Sequence, residues 1–331
     1  LSPALRGRGQ GEGAVLAIDA LGVTFATPDG DLAAVHDFCL EIRAGECVGI
    51  VGESGAGKSQ ALLAVMGLLA RNAHVRGSAR FEGVDLLGAS ASELNRVRGS
   101  RLAMIFQDPM TSLTPHMRIG EQIGESLVHH RGLSRREARV RALELLSSVH
   151  MTDAGRRLDQ YPHELSGGMR QRAMIAIALA CDPALLIADE PTTALDVTIQ
   201  AQILALLAEL KRERGMAMVL IAHDLGVVAG IADRVAVMYG GRIVELGPVA
   251  ATLKTPSHPY TRALLHSMPR IDEASGAALA TVRGQPPNPR ALPVGCAFNP
   301  RCDRVGDRCR RERPALEAHG PSLVACHFPL Q

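Results

Sequence analysis

The chain has 331 residues, of which 47% are hydrophobic, and this length and composition indicate about two globular domains with a sizeable core. The 36 Lys and Arg residues nearly balance the 34 Asp and Glu residues, and the resulting net charge of +2 argues against a nucleic-acid partner. Aromatic residues make up only 3% of the chain and no apolar stretch reaches the roughly 18 residues that span a bilayer, which argues against a base-stacking surface and a membrane-spanning helix.

The N-terminal part predicts a short tail followed by an α/β unit. Residues 1–13 are rich in Gly and polar residues, which predicts a disordered tail, and they lack the apolar region of a secretory signal. Short β-like runs follow, and the apolar run of residues 47–51 (CVGIV) indicates a buried strand. A Gly-rich loop and an apolar helical stretch over residues 60–70 come next, so we expect the start of a parallel α/β unit.

The loop between that strand and that helix matches the phosphate-binding pattern G-x-x-x-x-G-K-[ST]. Glycines let backbone N–H groups close around phosphate oxygens, and the helix N-terminus adds a positive dipole. Lys58 is expected to reach the β- and γ-phosphates, and the Ser59 hydroxyl to bind Mg²⁺. The predicted nucleotide-binding residues of this segment are Gly52, Glu53, Ser54, Gly55, Ala56, Gly57, Lys58, Ser59 and Gln60.

The middle of the chain predicts a helical insertion and the return of strands. Residues 108–183 carry helical patterns with few strand signals. Apolar strand patterns return at residues 184–188, 217–222 and 234–238, and a further run covers residues 242–245. Beyond residue 247 the composition shifts, and the Pro-, Gly- and Ala-rich residues 269–295 predict a linker or loosely wrapped loop.

Two carboxylates end the apolar run that begins at residue 184. Ionised groups beside an apolar strand need a partner, and a Mg²⁺ ion supplies one. Asp189 is expected to hold the ion through water, and Glu190 to polarise a water molecule for in-line attack on a γ-phosphate. The alternative is a strand end that simply reaches solvent.

The segment LSGGMRQ, residues 165–171, resembles the signature motif of ATP-binding-cassette (ABC) ATPases. The phosphate-binding loop precedes it and the Asp-Glu strand follows it, as in that family. The resemblance implies an α/β fold of the ABC-type P-loop NTPase class over residues 14–247, with a RecA-like core, an antiparallel β-subdomain and an inserted helical subdomain. It also implies that two cassettes close head to tail around two ATP molecules. Ser166, Gly167 and Gly168 would then contact the γ-phosphate held by the partner.

The resemblance assigns roles to other positions. Phe25 lies where an aromatic residue stacks on adenine, although a core Phe in an edge strand is the alternative. Gln107 corresponds to the residue that senses γ-phosphate and Mg²⁺, Asp196 to a loop that touches the opposite site, and His223 to a switch histidine at the γ-phosphate. The implied catalytic residues are Glu190, His223, Gln107 and Lys58, and the implied Mg²⁺ ligands are Ser59, Gln107 and Asp189.

Further sequence segments narrow the resemblance to one subfamily. The segments IFQDPMTSLTP, HPYTRALL and NPRCDRVGDRC are similar to ATP-binding subunits of dipeptide/oligopeptide importers, the DppD/OppD type. This implies a second homologous ATPase subunit in a heterodimer, two transmembrane permeases and, indirectly, a substrate-binding protein. The chain would lie peripherally on the cytoplasmic face of a bacterial inner membrane. The alternatives are the same machinery importing nickel or antimicrobial peptides, and a soluble ABC ATPase without a transport role.

Four cysteines lie in the C-terminal extension, residues 248–331: Cys296, Cys302, Cys309 and Cys326. Their spacing differs from the paired CxxC arrangement of a zinc ribbon, and four thiolates suit a [4Fe–4S] cluster. The resemblance implies the same cluster. A zinc site that includes His327 is one alternative, and unliganded thiols in a small apolar knot are another.

Overall fold

The computed structural model describes residues 13–193, 195–267 and 282–330. The predicted N-terminal tail, apart from residue 13, and residues 269–281 of the predicted linker lie outside these ranges. The chain divides into two compact units. The first unit comprises Leu1–Arg43, Cys47–Gly88 and Ala222–Gln331, and the second comprises Ala44–Glu46 and Ala89–Ile221.

The secondary structure alternates between strands and helices along the described chain. The strands are β1 (Ala14–Thr27), β2 (Gly30–Arg43), β3 (Cys47–Val51), β4 (Ala73–Phe81), β5 (Val84–Asp85), β6 (Leu102–Ile105), β7 (Leu185–Asp189), β8 (Ala217–Ala222), β9 (Arg234–Tyr239), β10 (Arg242–Pro248), β11 (Glu317–His319) and β12 (Ser322–Val324). The helices are α1 (Lys58–Val65), α2 (Ala91–Val97), α3 (Pro109–Ser112), α4 (Ile119–Arg131), α5 (Arg135–Ser148), α6 (Ala154–Arg157), α7 (Gly167–Ala178), α8 (Val197–Arg214), α9 (Leu225–Ala229), α10 (Val249–Lys254), α11 (Pro259–His266) and α12 (Asp307–Arg311). Short 3₁₀ turns cover Pro162–Glu164 and Asn299–Arg301. No helix within the described ranges is both long and apolar enough to cross a lipid bilayer.

The first unit contains two sheets. An antiparallel sheet has the strand order β2-β1-β4-β5, and Leu16 and Ile18 are fully buried on one face of its long strand β1. In the other sheet β3 runs parallel to β9, while β10, β12 and β11 continue it in antiparallel pairs. The C-terminal extension therefore contributes two strands to the sheet that also carries β3.

All five residues of β3 are buried, which confirms the strand predicted from the apolar run CVGIV. The helix that follows begins at Lys58 and ends at Val65, whereas the sequence pattern predicted residues 60–70. It ends early because Gly67 adopts a left-handed conformation with φ of 60°. At its other end, α1 starts directly after Gly57, the last glycine of the Gly-rich loop.

The second unit combines three parallel strands with most of the helices. β7 pairs with β6 on one side and β8 on the other, and every residue of β7 and β8 is buried. Helices and short connections cover the chain from Pro109 to Ala178, as the sequence predicted for a helical insertion. A capping box at Ser134 starts α5, where the hydroxyl accepts the Glu137 N–H and the Glu137 carboxylate accepts the Ser134 N–H.

Candidate functional site

The Gly-rich loop of the first unit turns sharply between β3 and α1. Gly52, Gly55 and Gly57 have φ values of 154°, 79° and 91°, a region that residues with a Cβ rarely adopt. A Cβ on Gly57 would lie 2.5 Å from the Ala34 carbonyl oxygen, and one on Gly52 would collide with the Met238 carbonyl oxygen. The loop thus forms a backbone concavity that only glycine permits, as a phosphate cradle requires.

Lys58 lies in the first turn of α1 and is 5% exposed. Its Nζ donates hydrogen bonds to the carbonyl oxygens of Gly52 at 2.8 Å and Glu53 at 3.3 Å. Ser54 and Gly55 are exposed at the tip of the loop, and Ser59 and Gln60 are half-buried behind it. A cation, a helix N-terminus and an open backbone cradle fit a Mg²⁺-bound nucleotide phosphate chain.

The predicted carboxylates lie in the second unit, at the end of β7. Asp189 is 6% exposed, and Glu190 follows it with a left-handed φ of 46°. Gln107 Nε2 donates a hydrogen bond to Glu190 Oε2 at 2.9 Å, and Thr193 Oγ1 donates to the same oxygen at 3.2 Å. A strained backbone and two donors fix the direction of the Glu190 carboxylate, an arrangement found at functional sites.

The signature segment of the second unit forms the start of α7. Ser166 is the N-cap of this helix and its Oγ accepts the Met169 N–H at 3.4 Å. Ser166 and Gly167 are exposed, and a Cβ on Gly168 would lie 3.0 Å from Ile199 Cγ2 on α8. The helix start therefore presents a hydroxyl and N–H groups to solvent, which suits an anion.

Three further predicted residues are exposed or partly exposed. Asp196 caps α8, because its Oδ1 accepts the Ile199 N–H at 2.9 Å, and the neighbouring Val197 is 84% exposed. His223 is exposed just after β8, and Phe25 is half-buried in β1. Asp189, Glu190, Gln107, Ser166 and Asp196 belong to one unit, whereas the phosphate loop, Phe25 and His223 belong to the other.

The C-terminal extension contacts the phosphate loop, which the sequence pattern did not predict. Arg301, with a side chain 4% exposed, forms a bidentate pair with the Glu53 carboxylate at 2.7 and 2.9 Å. The Glu53 N–H donates to Tyr260 Oη at 2.9 Å. Tyr260 lies in the segment HPYT and Arg301 in the segment NPRC. The sequence analysis had singled out these segments only for their family resemblance and, in the second, for its cysteines.

The four extension cysteines line one small cavity together with His258 and His327. Across the described ranges, however, no group of three or more His, Cys, Asp or Glu side chains is arranged to hold a metal ion. Burial raises the pKa of the Cys296 thiol to about 11 and also raises the pKa values of Cys302 and Cys326. The lack of such a group within the described ranges leaves the predicted metal site without support from the geometry.

Two family models match the sequence. The model described as "ABC transporter" matches residues 35–193, and that described as "Oligopeptide/dipeptide transporter, C-terminal region" matches residues 244–309. The oligopeptide transport ATP-binding protein OppD of Salmonella typhimurium is 54% identical over 318 residues, covering 96% of this chain and 94% of that protein. OppD of Escherichia coli is 52% identical over 318 residues with the same two coverages.

Two solved structures that resemble the chain are ATP-binding cassettes of one protein. The dimeric structure of MJ0796, a bacterial ABC transporter cassette, has a TM-score of 0.64 and 30% sequence identity. It covers 71% of this chain and 98% of that one. A second MJ0796 structure, a post-hydrolysis state bound to ADP and Pi, has the same TM-score at 29% identity.

Proposed function

The chain belongs to the ABC transporter ATP-binding family, and from this premise we propose that it powers a bacterial importer of di- and oligopeptides. The observation that carries the cargo class is the match along almost the whole chain, at 54% identity over 96% of its length, to an oligopeptide transport protein. The C-terminal match to the oligopeptide/dipeptide transporter model favours this over a soluble ABC ATPase without a transport role.

The phosphate loop binds the ATP phosphates in this proposal. The glycine cradle between β3 and α1 supplies N–H groups, and Lys58 exchanges its loop carbonyl partners for phosphate oxygens. Ser59 and Asp189 would hold Mg²⁺, together with Gln107, and the ion neutralises charge on the phosphates. Phe25, partly exposed in β1, offers its ring to the adenine.

Glu190 acts as the general base for hydrolysis. Its carboxylate accepts hydrogen bonds from Gln107 and Thr193 through one oxygen, Oε2, so that oxygen is held in place. The carboxylate takes a proton from the attacking water as the water oxygen bonds to the γ-phosphorus, while the bond from that phosphorus to the bridging oxygen of the β-phosphate breaks and ADP leaves. Gln107 therefore has a second role besides Mg²⁺ binding, because it positions the base. His223 contributes a further polar contact at the γ-phosphate.

The active form is a pair of cassettes. Ser166, Gly167 and Gly168 at the start of α7, with Asp196 at the start of α8, reach the nucleotide held by the other cassette. Support comes from the exposure of Ser166, Gly167 and Asp196 at the starts of these two helices. The partner cassette is a second, homologous ATPase subunit, and the pair docks on two permeases at the cytoplasmic face of the inner membrane.

The assignment of a [4Fe–4S] cluster to Cys296, Cys302, Cys309 and Cys326 stays a prediction, with zinc as the alternative. It is supported by the convergence of all four cysteines on one cavity. Anaerobically purified protein with a cluster absorbs broadly near ~400 nm, and Cys302→Ser removes this absorbance. Colourless protein with stoichiometric zinc supports the alternative, and metal-free protein refutes both.

Uptake of labelled peptides tests the proposed function. Cells that lack this chain and other peptide importers receive either the wild-type chain or Glu190→Gln. Uptake of labelled di- and oligopeptides restored only by the wild type supports ATP-driven peptide import. Equal uptake with both, together with restored uptake of labelled nickel or sensitivity to antimicrobial peptides by the wild type alone, moves the cargo to those alternatives.

A further inference from the structure

The second residue of the phosphate loop, Glu53, is held from outside the cassette. Its carboxylate pairs with both terminal nitrogens of Arg301, and its N–H donates to Tyr260 Oη. Both partners belong to the C-terminal extension. Glu53 is therefore bound through its side chain and its backbone at the place where the loop leaves β3.

Arg301 is itself fixed by the protein around it. Its Nε donates to the Arg283 carbonyl oxygen at 2.7 Å, and Nη2 also donates to the Val282 carbonyl oxygen at 3.1 Å. Nη1 also donates to Tyr239 Oη at 3.3 Å. With the two bonds to Glu53, five N–H donors have acceptors, which is the full capacity of a guanidinium group. The hydrogen bonds to Glu53 raise the pKa of Arg301, so it stays charged at every physiological pH.

A buried aromatic cluster supports this pair. The rings of Tyr239, Tyr260 and Phe298 have centroids 4.6 to 5.4 Å apart, and all three residues are at most 3% exposed. The Arg301 guanidinium carbon lies 5.8 Å from the Tyr239 ring centroid and 6.0 Å from that of Phe298. In a chain with only 3% aromatic residues, this cluster is a concentrated packing element, and the Arg301 side chain that lies against it is 4% exposed.

The extension also faces the loop across a small cavity. Pro286, Pro287 and Leu292 line a cavity of about 150 Å³ together with residues 53–56 of the loop. We propose that Arg301 is a positioning residue for ATP binding, which holds the phosphate loop in its open cradle by clamping Glu53. This inference rests on the proposed function, because it takes the loop as the ATP site.

The clamp acts on binding and not on the chemical step. Without Arg301 the loop samples other conformations, and part of the binding free energy of ATP is then used to order it. The apparent affinity for ATP is therefore reduced in proportion to the fraction of molecules whose loop is in the binding conformation. We expect Arg301→Ala to raise the Kd and KM for MgATP by about 5- to 150-fold, the usual range of coupling between distinct sites. The kcat at saturating ATP changes less than about twofold, because Glu190 and Gln107 are untouched.

Conservative variants separate positioning from general destabilisation. Arg301→Lys keeps the charge but loses the fork that binds both carboxylate oxygens, so its Kd lies between those of the wild type and Arg301→Ala. Glu53→Gln removes the carboxylate and raises the Kd in the same direction. In a double-mutant cycle, the variant that carries both Arg301→Ala and Glu53→Gln has a Kd for MgATP no higher than that of the weaker-binding single variant, because each substitution breaks the same contact.

Isothermal titration with MgATP on the purified full chain measures the Kd, and steady-state ATPase assays on the assembled transporter measure KM and kcat. Arg308→Ala is the matched control, since Arg308 also lies in the extension but forms an exposed pair with Glu312. The inference is overturned by a Kd for Arg301→Ala within twofold of the wild type, by additive effects in the cycle, or by a loss of kcat alone. If Arg301→Ala does not fold, Arg301→Lys and Glu53→Gln decide by the same criteria. A wild-type chain that fails to bind MgATP refutes the proposed function itself.

Discussion

Alanine at Gly57 tests whether the phosphate loop depends on a backbone that only glycine allows. Gly57 has φ of 91°, and its missing Cβ would lie 2.5 Å from the Ala34 carbonyl oxygen of β2. The left-handed conformation costs a residue with a Cβ about 1–2 kcal/mol. Relief of the clash adds about 1–3 kcal/mol, since a backbone oxygen cannot move aside as a side chain can. We therefore expect Gly57→Ala to lower the free energy of unfolding by about 2–5 kcal/mol.

Gly55→Ala is the matched control, because it lies in the same loop and has a similar φ of 79°. Apart from Gly55 and its two chain neighbours, no residue has an atom within 4 Å of the Cβ that alanine would add there, so only the conformational cost of about 1–2 kcal/mol remains. The two variants thus differ by the clash alone.

Thermal unfolding of the nucleotide-free chain, followed by calorimetry, measures the difference. One kcal/mol lowers the Tm of a domain of 150–250 residues by about 2–4 °C, so Gly57→Ala should unfold about 2–12 °C below Gly55→Ala. Gly57→Ala should also bind MgATP more weakly, because the displaced loop no longer directs its N–H groups to one point. Equal Tm values for the two variants, or a lower Tm for Gly55→Ala, would refute the reasoning.

Three further outcomes follow from the site. Glu190→Gln preserves size and keeps ATP binding, but it removes the base, so hydrolysis falls by about 10²- to 10⁴-fold in an ATPase assay; retained turnover would assign the base elsewhere. Asp196→Ala loses the α8 cap and about 0.5–2 kcal/mol of stability in thermal unfolding, whereas Asp196→Asn keeps the cap; if Asp196 also reaches the opposite site, both variants lower the ATPase rate of the assembled pair. Tyr260→Phe leaves the Glu53 N–H without its acceptor and lowers the free energy of unfolding by about 1–3 kcal/mol, and an unchanged Tm would contradict the importance of that bond.

Strands and loops with a local signal were predictable from the sequence. The buried strand β3 was predicted at its observed bounds because five apolar, mostly β-branched residues stand between turn signals. The phosphate loop was recognisable because the need for positive φ restricts three of its positions to glycine, and this need is visible in the sequence itself. The end of α1 was missed because the apolar pattern continues past Gly67, where the backbone turns out of the helix.

The four cysteines show the limit of spacing as evidence. Their number and spacing led to the prediction of a [4Fe–4S] cluster, and the four cysteines do line one cavity. Whether thiols become metal ligands depends on how their sulfur atoms are arranged in space, and no group of three or more His, Cys, Asp or Glu side chains in the described ranges is arranged to hold a metal ion. That arrangement cannot be obtained from spacing, because it depends on how the rest of the chain packs around the sulfur atoms.

The sequence by itself determined the order of the elements, the phosphate loop, the Asp-Glu strand end and the signature helix, because each is encoded by residues close together in the chain. Only the tertiary structure showed that Gln107 donates a hydrogen bond to Glu190, 83 residues further along the chain, and that Arg301 forms an ion pair with Glu53, from which it is separated by 248 residues. Such pairs carry no local pattern. They form only when folded sheets and loops bring distant side chains into the same buried space, where an unpaired charge would be costly.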